Sequence, residues 1–331
     1  MKIQFSKVTN TAGLLNKTFS LDSNAQVKKE SNAFLSLGTA EVVEVNSLSE
    51  FHLQLENLSP NQAIISGIPN EETFVNIVKK GEEFPPFYVS RSNKYFKHSN
   101  LCGTLLCDYD PDEVMPEHML LKSPKEFYEV LCKILPPEFA KVECLIGSGS
   151  SNGIKNANGI IVYYSDSKHG YLVCINLSDK NNDELIEYIK RASILHNLYY
   201  LKIFKDGSVG MRYAIDLSVL KSASNRLIFE AKPTCNDGLY QDRPQSLIWN
   251  KDSEETLDLS KISYDHLPDW KPVYERLKIE NRELIQQTKE SYKTSKIDEL
   301  VQKGFDITVA TNIVVEYITA STLSVKTLVE F

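Results

Sequence analysis

The stretch Leu105-Leu106-Cys107-Asp108-Tyr109-Asp110 is the centre of the fold and of the site that we predict for this chain. Its apolar residues predict a buried strand, and Pro111 ends it. Successive side chains of a strand point to opposite faces, so Asp108 and Asp110 point to the same face at the end of this strand. Two carboxylates directed at one point repel each other, and a divalent cation such as Mg²⁺ relieves that repulsion. The pair therefore predicts a metal site.

Two other interpretations of this stretch involve no catalytic metal. Asp108, Asp110 and Asp112 resemble the opening of an EF-hand calcium loop. That loop needs Gly where this chain has Glu113 and Glu where it has Met119, and an incoming helix is missing, so the EF-hand is excluded. A strand that ends in a solvated acidic turn remains an alternative for this stretch taken alone.

Composition narrows the class of protein. The 331 residues leave room for two domains, and 42% hydrophobic with 24% charged residues is typical of a soluble globular protein. No apolar run approaches the ~18 residues of a membrane span, and the N-terminus has no secretion signal. We therefore expect a cytoplasmic protein with no membrane partner. The net charge of −7 argues against coating of nucleic acid by bulk electrostatics but allows a local basic channel.

The cysteines argue against a structural metal. None of them forms a C-x-x-C pair, and most lie within apolar runs, which predicts buried free thiols in a reducing compartment and makes zinc unlikely. They are Cys102, Cys107, Cys132, Cys144, Cys174 and Cys235.

The order of elements predicts an α+β fold with a mixed sheet, because strands alternate with only a few helices. We expect a hairpin or irregular arm over residues 1–38 and helices starting at Ser47 and Ser123. The remaining predicted helices cover residues 183–196, 270–293, 295–303 and 308–318. The predicted strands cover residues 40–45, 63–68, 105–110, 141–146, 159–164, 170–177, 199–204 and 211–216. These elements predict a catalytic domain over residues 1–250, followed by an acidic linker and a helical C-terminal domain over residues 251–331.

Two stretches are candidates for contact with phosphate or nucleic acid. Residues 79–97 mix basic side chains, Lys80 among them, with aromatic ones such as Phe84, a combination found on nucleic-acid surfaces and also in half-buried loops. The loop at residues 147–153 is rich in Gly and Ser, and Ser150 and Ser151 could contact a phosphate. It lacks the Gly-Lys-Ser/Thr ending of a P-loop and the glycine spacing of a dinucleotide fingerprint, so an ordinary turn is the alternative.

Three motifs occur in order: D-x-D at residues 108–110, Ser167-Lys168-His169, and Ile215-Asp216. In this order they resemble the motifs of the archaeo-eukaryotic primase superfamily, which includes the primase-polymerases. The resemblance extends to the primase domains of phage and mobile-element primase-helicases and covers about residues 85–245. Its further parts are Ser90-Arg91-Ser92, Arg212, residues 225–230 and residues 241–244.

The resemblance implies a mixed-sheet catalytic core with an RRM-like palm, followed by a helical region. Asp108, Asp110 and Asp216 would bind two Mg²⁺ or Mn²⁺ ions for nucleotidyl transfer, and His169 would contact the triphosphate of an NTP or dNTP, with Ser167 or Lys168 nearby. The implied partners are a single-stranded DNA template and a helicase, either in a longer chain or as a separate protein. Further candidates for triphosphate or template contact are Arg91, Arg212, Arg226, Arg243, Ser150 and Ser151.

Several alternatives remain open from the residues alone. Asp216 is also placed to cap a helix that starts at Leu217, and Arg226 and Arg243 could form structural ion pairs. A metal-dependent nuclease could use the same three carboxylates. A catalytically silent DNA-binding module that recruits a helicase could retain the same fold.

Overall fold

The computed structural model describes residues 2–70, 72–79 and 85–315, which form an α+β fold as predicted. The chain divides into two compact units. Of the described residues, the first unit contains those between 2 and 198 and those at 213–268, and the second contains residues 199–212 and 269–315. The first unit thus continues past the predicted boundary at residue 250, because a strand at Leu257–Asp258 pairs with the central sheet.

The N-terminal part of the first unit is built mainly of antiparallel strands. In chain order it contains β1 (Ile3–Asn10), β2 (Lys17–Leu21), β3 (Val27–Ser31), β4 (Leu37–Val45), α1 (Leu48–Glu56), β5 (Gln62–Ile65), β6 (Ile68–Pro69), β7 (Phe74–Val78), β8 (Tyr88–Val89) and β9 (Phe96–Lys97). One sheet has the order β5-β1-β4-β7-β8. Helix α1 begins as predicted: the Ser47 side chain accepts from Glu50 N, and Glu50 Oε2 accepts from Asn46 N at 2.7 Å. Lys80 and Phe84 lie outside the described residues.

The central part of the chain supplies the sheet that carries the three motifs. It contains β10 (Gly103–Tyr109), α2 (Pro124–Ile134), β11 (Cys144–Ser148), β12 (Ile154–Lys155), β13 (Ile161–Tyr163), β14 (Lys168–Ile175) and α3 (Asp179–Leu195). Ser123 caps α2 as predicted, with Pro124 in the first turn. Strand β11 begins three residues after the predicted start at 141 because residues 137–141 form a 3₁₀ turn.

The rest of the chain completes the central sheet and forms the second unit. Its elements are β15 (Tyr199–Ile203), β16 (Val209–Tyr213), α4 (Leu217–Lys221), β17 (Thr234–Cys235), β18 (Tyr240–Gln241), β19 (Leu247–Trp249), β20 (Leu257–Asp258), α5 (Lys271–Glu280) and α6 (Arg282–Gln302). The central sheet has the order β10-β14-β11-β19, with antiparallel pairs, and β20 pairs in parallel with β14. Smaller sheets have the orders β13-β12-β18 and β17-β2-β3.

The second unit is helical apart from the hairpin β15–β16. The predicted helix over 270–293 is interrupted at Asn281, which ends α5 and donates from its side chain to Leu277 O at 2.8 Å. The predicted separate helix over 295–303 is wrong, since α6 runs through Ser295 without a break. A further helix covers residues 307–315, and the end of its predicted range, 316–318, lies outside the described residues. No helix in the described part of the chain is long and apolar enough to cross a membrane.

The two faces of the central sheet have different neighbours. On one face Tyr109 packs against Phe127 of α2, with ring centroids 5.8 Å apart. On the other face Tyr171 packs against Phe51 of α1 at 5.2 Å, and Phe51 also contacts Phe5 of β1. The side chains of β10 and β14 alternate between these two cores, which explains why both strands are almost continuously buried. The second face is the one that carries Asp108.

Gly67 is required where three segments meet. A Cβ atom at this position would lie 2.1 Å from Ser224 O and 2.9 Å from Lys97 O, and both are backbone atoms that cannot move independently. We expect Gly67→Ala to reduce the free energy of unfolding by about 2 kcal/mol, as overpacking does in other cores. Urea unfolding measures this loss. Gly13→Ala is the control, because its Cβ would meet only Asn10 Nδ2 at 3.7 Å; equal stability of the two variants would contradict the prediction.

Candidate active site

Asp108 and His169 face each other on neighbouring strands. The register of β10 and β14 pairs them directly, and His169 Nε2 lies 3.5 Å from Asp108 Oδ1. Directly paired residues of an antiparallel sheet share a face, so the register itself joins the first predicted motif to the second. Asp110 follows the end of β10 and is exposed.

Glu230 organises the buried side of this pair. Its carboxylate accepts hydrogen bonds from His169 Nδ1, from Tyr171 Oη at 2.8 Å and from Arg243 Nη2 at 2.9 Å. Burial alone would raise the pKa of Glu230. The positive charges of His169 and Arg243 lower this pKa by more than burial raises it, so the pKa of Glu230 lies well below its ordinary value. An ionised carboxylate only accepts hydrogen bonds, and His169 Nδ1 therefore carries a proton and Nε2 faces Asp108.

The charge of His169 follows from the same contacts. Burial lowers the pKa of His169, but the carboxylates of Glu230 and Asp108 raise it by more, and the net shift is upward. The imidazole is thus held toward its cationic form at the edge of the site. A cation at this position is suited to an anionic substrate group.

Asp216 reaches the site through the backbone. Its N–H donates to Asp108 O at 2.8 Å, so the third motif lies beside the first. Its side chain caps α4, accepting from Ser218 N and from Ser218 Oγ, each at 2.9 Å. The capping role that the sequence left open is therefore present, and a metal-binding role for Asp216 stays a prediction.

The carboxylates repel one another in this arrangement. Burial raises the pKa of Asp108, and the negative charges of Asp110 and Asp216 raise it further. The positive charges of His169 and Arg226 act in the opposite direction, but the net shift is upward. No group of three or more His, Cys, Asp or Glu side chains within residues 2–70, 72–79 and 85–315 is arranged to hold a metal ion. The donor chemistry nevertheless fits Mg²⁺ or Mn²⁺, which prefer carboxylate oxygens.

Two of the predicted arginines lie together near the third motif. Arg91 Nη1 donates to Asn225 O at 2.7 Å, and Arg226 Nη1 donates to Ser218 Oγ at 3.1 Å. Burial lowers the pKa of Arg91, and the nearby charge of Arg226 lowers it further. Neither guanidinium has a carboxylate within ion-pair distance in the described part of the chain, which leaves both able to bind phosphate.

The other two predicted arginines have different surroundings. Arg243 Nε donates to Ser148 O at 2.9 Å, and the guanidinium forms an ion pair with Glu230. The structure thus contains the structural ion pair that the sequence left open as an alternative for Arg243. Arg212 belongs to the second unit, where its guanidinium lies over the ring of Phe204, 5.3 Å from the centroid. A role for Arg212 in binding triphosphate or template stays a prediction.

Lys168 points away from Asp108 and His169. It pairs across the sheet with Tyr109, whose ring lies 5.2 Å from its Nζ, and it donates to Leu121 O at 2.6 Å and to Asp166 O at 2.8 Å. The prediction was that Ser167 or Lys168 lies near the triphosphate; the structure places the Lys168 side chain on the face opposite Asp108 and His169, and a triphosphate contact by either residue stays a prediction. The physical reason is the alternation of a strand, which directs Lys168 and His169 to opposite faces.

The Gly/Ser loop lies directly beside the second motif and is buried. Gly149 N donates to Ser167 O at 2.9 Å, and Ser167 Oγ lies 2.8 Å from Ser165 Oγ. Ser150 and Ser151 are 4% and 2% exposed, and Ser151 Oγ accepts from Lys17 Nζ at 3.2 Å. The loop is therefore a packed wall of the site rather than a free surface turn.

Two residues of the site were not predicted to have a role there, although Glu230 lies in the segment 225–230 that belongs to the resemblance. Glu230 ends the apolar segment Leu227-Ile228-Phe229, and a charge inside such a buried segment is the signal that could have revealed it. Lys17 lies in a polar N-terminal stretch with no motif, and its approach to the site depends on the pairing of β2 with β17. Comparisons of the chain with family models, with curated proteins and with solved structures return no match.

Proposed function

We propose that this chain is a DNA primase or primase-polymerase, a nucleotidyltransferase that synthesises primers on single-stranded DNA. The observation that carries the proposal is the convergence of three motifs, separated along the chain, at one end of one strand pair. Asp108 is directly paired with His169, and Asp216 is hydrogen-bonded to Asp108 through the backbone. The same motifs in the same order define the resemblance to the primase superfamily.

The topology around the site supports an RRM-like palm. The chain runs β10-α2-β11-β14-α3, and in space β14 lies between β10 and β11. The segment that ends at Asp216 then returns to the free edge of β10. This is the order of a split β-α-β unit, with β12 and β13 inserted beside the Gly/Ser loop.

The residues of the site have distinct roles in this proposal. His169, oriented by Glu230, would donate from Nε2 to a phosphate oxygen of the incoming NTP or dNTP, and Arg91 and Arg226 would hold further phosphate or template oxygens. Asp108, Asp110 and Asp216 would hold two Mg²⁺ or Mn²⁺ ions, which when bound lower the pKa of the primer 3′-hydroxyl and neutralise charge on the pyrophosphate. Positioning and charge suffice because phosphoryl transfer requires little covalent work of the protein.

Primer synthesis tests the proposal directly. Wild-type protein is incubated with single-stranded DNA, labelled NTPs or dNTPs and Mg²⁺ or Mn²⁺, beside Asp108→Ala/Asp110→Ala. We expect extended products from the wild type alone. Shortening of the template without synthesis would replace the proposal with a nuclease, and template binding without any reaction would replace it with a silent module that recruits a helicase. We propose that this activity serves the replication of a phage, plasmid or mobile element.

A further inference from the structure

The hairpin β2–β3 brings one lysine to the wall of the site. Strand β2 pairs in parallel with β17, and Asn16 Nδ2 donates to Lys232 O at 2.8 Å and to Thr234 Oγ1 at 3.0 Å. Phe19 is completely buried against Ile154 and its neighbours in the small sheet beside the Gly/Ser loop. These contacts fix the backbone of Lys17 between the segment that follows Glu230 and the loop at residues 147–153.

The ammonium group of Lys17 lies against the Gly/Ser loop, which is hydrogen-bonded to the second motif. Its Nζ donates to Ser151 Oγ at 3.2 Å, and no carboxylate in the described ranges lies within ion-pair distance of it. Burial and the nearby charge of Lys29 lower the pKa of Lys17, whereas Glu230, Asp110 and Asp108 raise it by less. By contrast Lys155, on the neighbouring small sheet, pairs with Asp242 at 2.5 Å.

A half-buried ammonium has three donors, and Ser151 accepts from it once. Removing such a charge from water without a counterion is unfavourable. An anionic ligand bound in the adjoining space would supply that counterion. Ser151 belongs to the loop in which Gly149 N donates to Ser167 O, two residues before His169, so an anion bound by Lys17 would lie beside the second motif, where the proposal places the substrate phosphates. A phosphate oxygen is the natural acceptor for a lysine at such a position.

We infer that Lys17 and Ser151 form a phosphate-binding element in which the N-terminal hairpin holds the polyphosphate of the nucleotide against the Asp108 side of the site. This inference rests on the proposed function. It assigns a substrate contact to a part of the chain outside the residues that carry the resemblance. It also gives the Gly/Ser loop a role, because that loop supplies the hydroxyl that orients the ammonium.

Direct binding tests the inference without requiring catalysis. The dissociation constants of Mg²⁺·dATP, Mg²⁺·ATP and inorganic tripolyphosphate are measured by calorimetry for wild type, Lys17→Gln and Lys17→Arg. We expect Lys17→Gln to weaken the binding of a nucleotide and of tripolyphosphate by about tenfold or more, since both probes carry the phosphates, and Lys17→Arg to retain most of the affinity. Lys28→Gln is the matched control, because it removes the same charge from the exposed Lys28–Glu30 pair of the same hairpin.

The outcomes separate this inference from the proposed function. If wild type binds the probes and folded Lys17→Gln binds them equally well, Lys17 is only a counterion of the acidic site and the inference fails alone. If wild type binds none of the probes, the proposed function and the inference both fail. The single variant Ser151→Ala and the double variant Lys17→Gln/Ser151→Ala complete a double-mutant cycle. If the losses of binding free energy in the two single variants add up in the double variant, Lys17 and Ser151 do not bind the phosphate together.

Discussion

Asp216→Asn is expected to reduce nucleotide incorporation by about 100-fold or more while leaving the stability of the fold almost unchanged. Asn caps a helix about as well as Asp, because its Oδ1 can still accept from Ser218 N. The Nδ2 group that replaces the second carboxylate oxygen can donate to Ser218 Oγ instead of accepting from it. Asn removes the negative charge that a divalent cation requires. Loss of several kcal/mol of electrostatic stabilisation corresponds to at least about 100-fold in rate.

The chain contains a matched control for this substitution. The sequence Asp-Leu-Ser occurs twice, at residues 216–218 and at residues 258–260, and each aspartate caps a short helix by accepting from the serine two residues later. Asp258→Asn therefore changes the same cap at a position that the proposal does not use. Primer synthesis and urea unfolding are measured for both variants. Full activity of Asp216→Asn would show that Asp216 is a capping residue alone.

The sequence was informative wherever one local pattern controlled the outcome. The apolar run before Asp108 predicted β10, and the serines at 47 and 123 predicted the starts of α1 and α2. These features depend on neighbouring residues and on the period of a strand or helix. They are therefore readable without knowledge of tertiary contacts.

Other features depend on contacts between distant segments and could not be predicted. Glu230 meets His169 across 61 positions of the sequence, and Lys17 meets Ser151 across 134. The directions of side chains within a motif are a related case, since the motif Ser167-Lys168-His169 does not indicate which of its side chains faces the carboxylates. Only the register of β14 against β10 assigns His169 to that face.

Glu230→Ala is expected to destabilise the first unit by about 3–5 kcal/mol, the usual result of removing one partner of a buried ion pair. Three groups lose their shared acceptor in this variant: His169 Nδ1, Tyr171 Oη and Arg243 Nη2. Glu230→Gln keeps the shape but loses the charge, and we expect a loss of about 2 kcal/mol. Urea unfolding in metal-free buffer measures both values. Glu56→Gln is the control, because its pair with Lys232 at 3.7 Å is exposed and should contribute less than about 1 kcal/mol.

The pH dependence of this loss identifies its electrostatic origin. The pKa of Glu230 is lowered by folding, so its contribution to stability is present above the ordinary value of 4.5 and is lost as the pH falls toward the folded value. The pKa of His169 is raised by folding, so its contribution is complete below 6.5 and is lost as the pH rises through the folded value. The difference in unfolding free energy between wild type and Glu230→Gln should therefore be widest between pH 4.5 and 6.5. A difference that did not vary with pH would mean that hydrogen-bond geometry, and not the ion pair, holds His169 against Asp108.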